Sequence, residues 1–542
     1  MRRPLPVLLV AAATLLLWHL GAYGLWESTE ARYAEIAARM VRSGDWMTPR
    51  LNHIIHFDKP PLTYWATGIG LTVFGIDELG ARIGLVVAAL VVLTVTYRWA
   101  AETGPPAAAY AFLCLLSAPM FFALARSVTS DLYLTMWVVL AVDAARRATG
   151  PTRARSWRWL AWGAVGAGFL TKGPVVLLWT VAPALAWAAL TDGWGRLRRL
   201  WDPIGVALAL AIALPWYVVS AARHPQLIDF WLGVQTVGRI TAPYEGERAP
   251  VWFFLITVVW AAGPWIVPAT LELVRRRPRL NVPYVVVWAV FPLLIFSLFP
   301  TKRANYALPM LPAVALLAGS WWAAAGERSH ARVITRALGA VTLAFGAGLL
   351  IAAFRGELPD PLRVVGLIAG PVSIGGGLVA IVTTRWQRFD LAFAGCLAPL
   401  LVLYLAGYAV LGDPRVEAFL KISRPLAVAV AKHQVGDEPI VSFRGWPRAF
   451  PFYLNQRLIT VTTEGRETRF EDDTSWRAYV FTDDDAFYSR FRDPRRALFV
   501  IPRRRRERIA ARAGVPVVTL AATRRNLLVT NRPTPSEALA DP

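Results

Sequence analysis

The sequence predicts a mainly α, polytopic helical membrane protein of about thirteen transmembrane helices, followed by a C-terminal soluble α/β domain. Three observations lead there. Of the 542 residues, 56% are hydrophobic and only 17% are charged, with a mean hydropathy of +0.43; a soluble chain would carry about 25% charged residues. Apolar runs of roughly twenty residues recur between short basic loops. Beyond Leu411 the composition changes, and no later run is long enough to span a bilayer.

The net charge of +22 does not call for nucleic acid, because the arginines flank membrane segments or lie in the C-terminal part. Cys114 and Cys396 both fall inside apolar runs, where isolated thiols pack as small hydrophobes and form neither a disulfide framework nor a metal site.

In chain order, Pro6–Leu25 follows Arg2 and Arg3 and reads as an uncleaved first anchor. Residues Ala31–Val41 set Tyr33, Ile36, Ala37 and Met40 against Arg32, Glu35 and Arg39 at helical spacing, so this helix lies along the membrane surface. Pro60 and Pro61 open a short aromatic segment that ends near Phe74. Later spans are expected at Ala81–Tyr97, Pro106–Leu124, Ser127–Ala144, Trp157–Leu170, Pro174–Ala189, Pro203–Ala222, Val251–Val274, Val282–Phe299, Tyr306–Ala324, Val333–Phe354, Leu362–Thr383 and Leu391–Leu411. With that count, the loops carrying Arg146, Arg196, Arg275, Arg332 and Arg385 all fall on one side, together with the N-terminus. By the positive-inside rule that side is cytoplasmic. The loop 26–79, the segments 223–250 and 301–305 and the C-terminal part then lie on the outer face of a bacterial inner membrane. The expected division is a membrane domain over 1–412, a soluble α/β domain over 413–533 and a disordered tail over 534–542. Within the soluble part, strands are expected at 439–443, 458–462, 478–481, 497–501 and 515–520, and helices at 425–433 and 503–513.

The candidate chemistry gathers on the outer side. Glu27 and Glu30 stand at the mouth of the first span, with Arg32 close behind. A carboxylate there suits a general base; it suits a helix start as well, through the helix dipole. Lys59, in Asp58-Lys59-Pro60-Pro61, suits a phosphate ligand on a stiffened backbone, or a lysine reaching for lipid headgroups. Asp131 sits just inside an apolar span and needs a partner or a task; Arg126 is a candidate partner. Lys172, Lys302 and Arg303 add cations on the same face. His53 and His56 have no matching ligand cluster, and no zinc site is expected.

The loop EARYAEIAARMVRSGDWMTPRLN…FDKPPLTYW resembles the first outer loop of bacterial membrane glycosyltransferases related to aminoarabinose lipid A transferase and, more distantly, to protein O-mannosyltransferases. ARSVTSDLYLT, LTKGPVVLL, LPWYVVSAARHPQLIDFW and TKRANYALPMLPAVALL resemble that family's later signatures in the same order. The resemblance implies a GT-C fold, an outer active site and inverting transfer of a sugar from a polyprenyl phosphate carrier to a lipid, glycan or protein acceptor. It also implies contact with membrane lipid and no cofactor. Asp131 matches the family's second acidic position, and Lys59, Arg239, Lys302 and Tyr306 match positions on the carrier-phosphate side; Arg32, Tyr33, Asp58, Arg126, Lys172 and Arg303 join that group. Two positions depart. Thr29 stands where the family has a catalytic Asp, so Glu30 or Glu27 is expected to take over that role. Gln235 and Thr236 stand where the family often has Glu-His, and the loss of that histidine removes a metal ligand, so no metal is expected. A flippase for a lipid-linked sugar, and a carrier-binding relative without turnover, are the competing readings.

Overall fold

The computed structural model describes residues 4–27, 29–150, 154–191, 193–238, 249–275, 283–444, 447–461, 470, 475–481 and 483–540. They form two compact units. One comprises 1–18, 58–63 and 83–409; the other comprises 19–57, 64–82 and 410–542. The sequence division at 412 therefore differs from the compact units, which group most of the 26–79 loop with the C-terminal residues.

The first unit is a helical membrane body. Among the described residues, seven helices are long and apolar enough to cross a membrane: Glu78–Ala100, Pro203–Arg223, Phe253–Arg275, Ala304–Ala323, Ala331–Phe354, Asp360–Trp386 and Phe389–Val410. Among the described residues five shorter apolar helices accompany them in this unit, including Leu5–Leu17, Val175–Thr191 and Tyr284–Leu298, and a sixth, Leu62–Phe74, falls mostly in the other unit. Shortness has local causes. The expected span Pro106–Leu124 is two helices, Pro105–Ser117 and Pro119–Leu124, with Ala118 extended between them at φ −61° and ψ 122°. A residue before proline is driven out of the α region. The helix Arg155–Lys172 is longer than its apolar core and ends where Gly173 takes a φ of 75°. Helices Ala331–Phe354 and Asp360–Thr383 approach closely at small residues. A Cβ on Gly346 would come within 2.6 Å of the Gly370 carbonyl oxygen, as in small-residue packing within membranes. Their outer faces leave Val333, Val341, Phe345 and Phe354 exposed, suited to lipid.

In the second unit, Thr29–Ser43 forms the expected amphipathic helix. The two-residue strands β1 (Arg50–Leu51) and β2 (Ile54–Ile55) pair as a hairpin turned by Asn52 and His53, at φ 51° and 68°, the left-handed conformation that tight hairpin turns require. The C-terminal part contains strands β3 (Ile440–Phe443), β4 (Ile459–Val461), β5 (Val480–Phe481), β6 (Leu498–Pro502), β7 (Val518–Ala522) and β8 (Asn526–Thr530). They form one sheet in the order β5-β4-β3-β6-β8-β7, parallel from β5 to β6 and antiparallel thereafter. Alternate residues feed two cores. Val441, Phe443, Phe499 and Ile501 pack with Phe487, Phe491 and Ile509 on one face; Ile440, Leu498 and Val500 pack with Leu426, Val430 and Phe450 on the other. This period of two, buried on both faces, is why the strands read as unbroken apolar runs.

Five of these strands fall at the expected positions, and β8 is an addition. The tail expected to be disordered begins instead with a helix, Pro535–Ala540. Thr534 and Glu537 cap it reciprocally: Thr534 N donates to Glu537 Oε2 at 2.8 Å, and Glu537 N donates to Thr534 Oγ1 at 3.4 Å. This is a capping box. Arg496 holds Glu537 in place at 2.8 Å.

Candidate active site

Within the membrane unit the polar residues converge on Asp131. It occupies the first turn of the helix Ser130–Thr149, whose N-cap Thr129 accepts from Asp131 N at 3.4 Å. A carboxylate is favoured there by the orphan N–H groups and the helix dipole. Its Oδ1 accepts from Lys172 Nζ, and its Oδ2 accepts from Asn305 Nδ2 at 2.5 Å. The two side chains of the ion pair are 4% and 10% exposed, low enough for the pair to be strongly coupled and for each charge to depend on the other. Lys172 is the last residue of its helix, where a cation meets the carbonyl end. Its ammonium also lies 5.0 Å from the centre of the Tyr306 ring, a cation–π distance.

The segment after Phe299 supplies the other side. Lys302 Nζ donates to the carbonyls of Phe299 at 2.6 Å and Ala249 at 3.0 Å. An ammonium has three donors, so two of them shape the turn. Arg303 is exposed, and Tyr306 is partly buried, its ring 5.6 Å from that of Phe296. Asp58 and Lys59 are both partly exposed, ahead of the buried Pro60, and Asp58 Oδ1 accepts from Gln235 Nε2 at 3.4 Å. Thr236 Oγ1 donates to the Trp231 carbonyl at 2.7 Å. Arg239 lies outside the described residues.

The expected pairing of Arg126 with Asp131 is not what the structure contains. Arg126 is buried and donates to the carbonyls of Leu15, Leu16 and Trp18, with its guanidinium 4.0 Å from the Tyr408 ring. The helix Leu5–Leu17 ends there, and its orphan carbonyls attract a fixed cation.

In the second unit, Glu30 and Glu27 are tied into the scaffold. Glu30 receives Arg82 Nε at 2.9 Å and Nη2 at 3.0 Å, and Trp26 N at 2.9 Å. Both members of the Glu30–Arg82 pair are fully buried. Arg82 also donates to the carbonyls of Leu20, Tyr23 and Gly24 and stacks 3.8 Å from the centre of the Tyr23 ring. Glu27 accepts from the backbone of Ala449 at 3.0 Å and of Arg448 at 3.1 Å, at the start of the helix Phe450–Leu454. Burial raises its pKa above the usual carboxylate value despite those bonds. Tyr33 is buried against Tyr64 at 5.3 Å, and Arg32 lies over the Tyr33 ring at 5.7 Å.

Two contributors escaped the sequence reading. Asn305 stands beside residues already singled out, and a short polar residue between Arg303 and Tyr306 was the available signal. Arg82 was read as part of a span, and its position inside an otherwise apolar helix was the signal there. Among the described residues no three His, Cys, Asp or Glu side chains gather as a metal site would need.

Comparisons with known proteins agree with this architecture from both ends. Residues 58–218 match the family model for dolichyl-phosphate-mannose-protein mannosyltransferase, and 426–531 match that for the aminoarabinose transferase C-terminal domain. An undecaprenyl phosphate-α-4-amino-4-deoxy-L-arabinose arabinosyl transferase of Sodalis glossinidius is 29% identical over 71% of this chain and 71% of its own. The corresponding protein of Pectobacterium atrosepticum is 25% identical over 91% of this chain and 90% of its own. The crystal structure of ArnT from Cupriavidus metallidurans bound to undecaprenyl phosphate superposes with a TM-score of 0.81 at 24% identity, over 98% of this chain and 99% of that one. The chain thus carries a transmembrane segment similar to the mannosyltransferases and a C-terminal sheet domain similar to that of the aminoarabinose transferases, and it is similar over most of its length to these bacterial membrane glycosyltransferases.

Proposed function

We propose that this glycosyltransferase moves a sugar from undecaprenyl phosphate, or a closely similar polyprenyl phosphate, to a lipid acceptor of the lipid A class, with a glycan or protein as the alternative acceptor. The reaction takes place at the outer face of the bacterial inner membrane. The observation that carries this reading is the buried Asp131 carboxylate held between Lys172 and Asn305, with Tyr306 against the lysine.

In this mechanism the acceptor oxygen attacks the anomeric carbon. The bond from that carbon to the phosphate oxygen breaks, and the electron pair leaves with the polyprenyl phosphate. Direct displacement inverts the anomeric configuration. Lys59, Arg239, Lys302 and Arg303 neutralise the leaving phosphate, each good contact contributing on the order of 3 kcal/mol. Asp131 orients the acceptor and takes its proton. Lys172 and Asn305 keep its carboxylate in one orientation, which matters because a reacting group displaced by about 1 Å loses much of its effect. Glu30 and Glu27 serve architecture, since their oxygens already receive Arg82, Trp26, Arg448 and Ala449.

The test is labelled-sugar transfer in membranes from matched strains with and without the protein, supplied with a polyprenyl phosphate-linked sugar. Label reaching a lipid fraction only when the protein is present supports the reading, and label reaching only glycan or protein would reassign the acceptor. No label in any acceptor from any such donor would overturn it.

A further inference from the structure

A cavity opens in the membrane unit at the opposite end of the helix that carries Asp131. Arg146, on its wall, is fifteen residues further along Ser130–Thr149, or about 22 Å at the rise of an α-helix. The cavity holds about 720 Å³ and lies between the C-terminal part of that helix, the helix Arg155–Lys172, the segment 180–201 and the start of Tyr284–Leu298. Part of its lining is apolar and built from small residues, Ala141, Ala145, Ala161 and Ala184. Protein interiors are packed to crystal-like density, so an apolar space of this size between spans fits a guest chain.

The rest of the lining has a different character. It includes Trp187, Trp201 and Tyr284, together with Arg146 and Arg196. Arg146 is already neutralised by Glu102 at 2.7 Å and Asp143 at 2.8 Å. Arg196 is exposed and lies 5.0 Å from the centre of the Trp187 ring, and no ion pair engages it among the described residues. Arg198 and Arg199 are exposed beside it. An apolar slot closed by aromatic residues and an uncompensated arginine is complementary to a molecule with a hydrocarbon tail and an anionic head. Basic pockets between spans on the arginine-rich side of a membrane protein hold anionic lipid headgroups.

We infer that this cavity is a binding site for an anionic glycerophospholipid of the leaflet opposite the active site, with an acyl chain in the alanine-lined slot and the phosphate on Arg196. The site is separate from the sugar-transfer site and needs none of its residues.

The experiment uses the full chain in nanodiscs containing phosphatidylglycerol and phosphatidylethanolamine, followed by mild delipidation and native mass spectrometry of retained lipid. Wild-type protein is expected to retain phosphatidylglycerol in preference. Arg196→Gln, on an exposed short helix, should lower that preference about fivefold, the worth of one arginine at an anionic surface. Ala161→Phe, which fills the slot, should abolish retention of either lipid, and Ala184→Phe provides the same test should Ala161→Phe fail to fold. Sugar transfer should persist in Arg196→Gln. Equal retention of both lipids by wild-type protein, an unchanged preference in Arg196→Gln, or undiminished retention in a folded slot-filling variant would each overturn the assignment.

Discussion

Replacing Asp131 by Asn separates the two things its carboxylate does. The change keeps the shape and removes the charge. Oδ1 can still accept from Lys172, but the new amide N–H₂ faces the Asn305 amide that now donates to Oδ2 at 2.5 Å. The Lys172 ammonium, 10% exposed, loses its counter-charge. Breaking a buried ion pair by removing one partner costs about 3–5 kcal/mol, so the variant's thermal midpoint in detergent should fall. Loss of the proton acceptor should lower transfer by about 10²–10⁴ beyond any loss of folded protein. A second substitution tells the two effects apart. In Asp131→Asn/Lys172→Met no buried charge remains unpaired, so the midpoint should recover while transfer stays low. The assay is single-turnover transfer of labelled sugar from saturating carrier, normalised to folded protein by size-exclusion chromatography. Transfer by Asp131→Asn within tenfold of wild type would refute the role given to this carboxylate. Recovery of transfer in the double variant would refute it too, because the defect would then lie in the orphaned lysine.

Other expectations follow from the same contacts. Glu30→Gln removes the charge that faces fully buried Arg82, and should destabilise the fold by about 3–5 kcal/mol while transfer per folded molecule stays within a few-fold; a stable, inactive Glu30→Gln would return the residue to the reaction. Asn305→Ala strips one donor from Asp131 and should cost roughly tenfold in transfer, equal to about 1.4 kcal/mol, with an unchanged carrier dissociation constant in a binding titration. Burial pushes the Glu35 carboxyl from its ordinary 4.5 to about 7, against the opposing charges of Arg39 and Arg42. The folded state therefore keeps a proton that the unfolded chain releases in this window, and stability should decline as pH rises from 4.5 to 7, by up to about 3 kcal/mol. His53, whose pKa burial lowers from 6.5 to about 4, acts in the opposite sense. The thermal midpoint of wild type minus that of Glu35→Gln, followed across pH, isolates the glutamate, and a flat difference would contradict its assignment.

The architecture was legible wherever one strong local signal decided it. Long apolar runs between arginine loops marked the spans, and five of the six sheet strands read as short β-branched runs because both faces of that sheet are covered. The missed strand, Asn526–Thr530, follows Thr523-Arg524-Arg525, where neither Gly nor Asn marks the turn. The helix at 535–540 carried its signal openly in Thr534-Pro535-Ser536-Glu537, yet tail position outweighed it in the reading. Site partners were harder. Asp131 announced itself as a charge in an apolar span, but on sequence terms Arg126 was its candidate partner, and Lys172 was only another cation on the same face. What decided between them was the end of Leu5–Leu17, more than a hundred residues away, which claims Arg126 through its carbonyls. Glu30 likewise looked available until Arg82, fifty-two residues on, was found at its side. Pairings of that kind depend on tertiary packing, and nothing in the local pattern encodes them.

The central claim is transfer from a polyprenyl phosphate carrier. Its most direct measurement uses purified protein in proteoliposomes with undecaprenyl phosphate-linked labelled sugars and lipid A, following both products in the same sample. The account predicts one undecaprenyl phosphate released for each sugar that appears on the acceptor, with both falling together in Lys59→Ala. Carrier that binds without release, with lipid A left unlabelled, would contradict it.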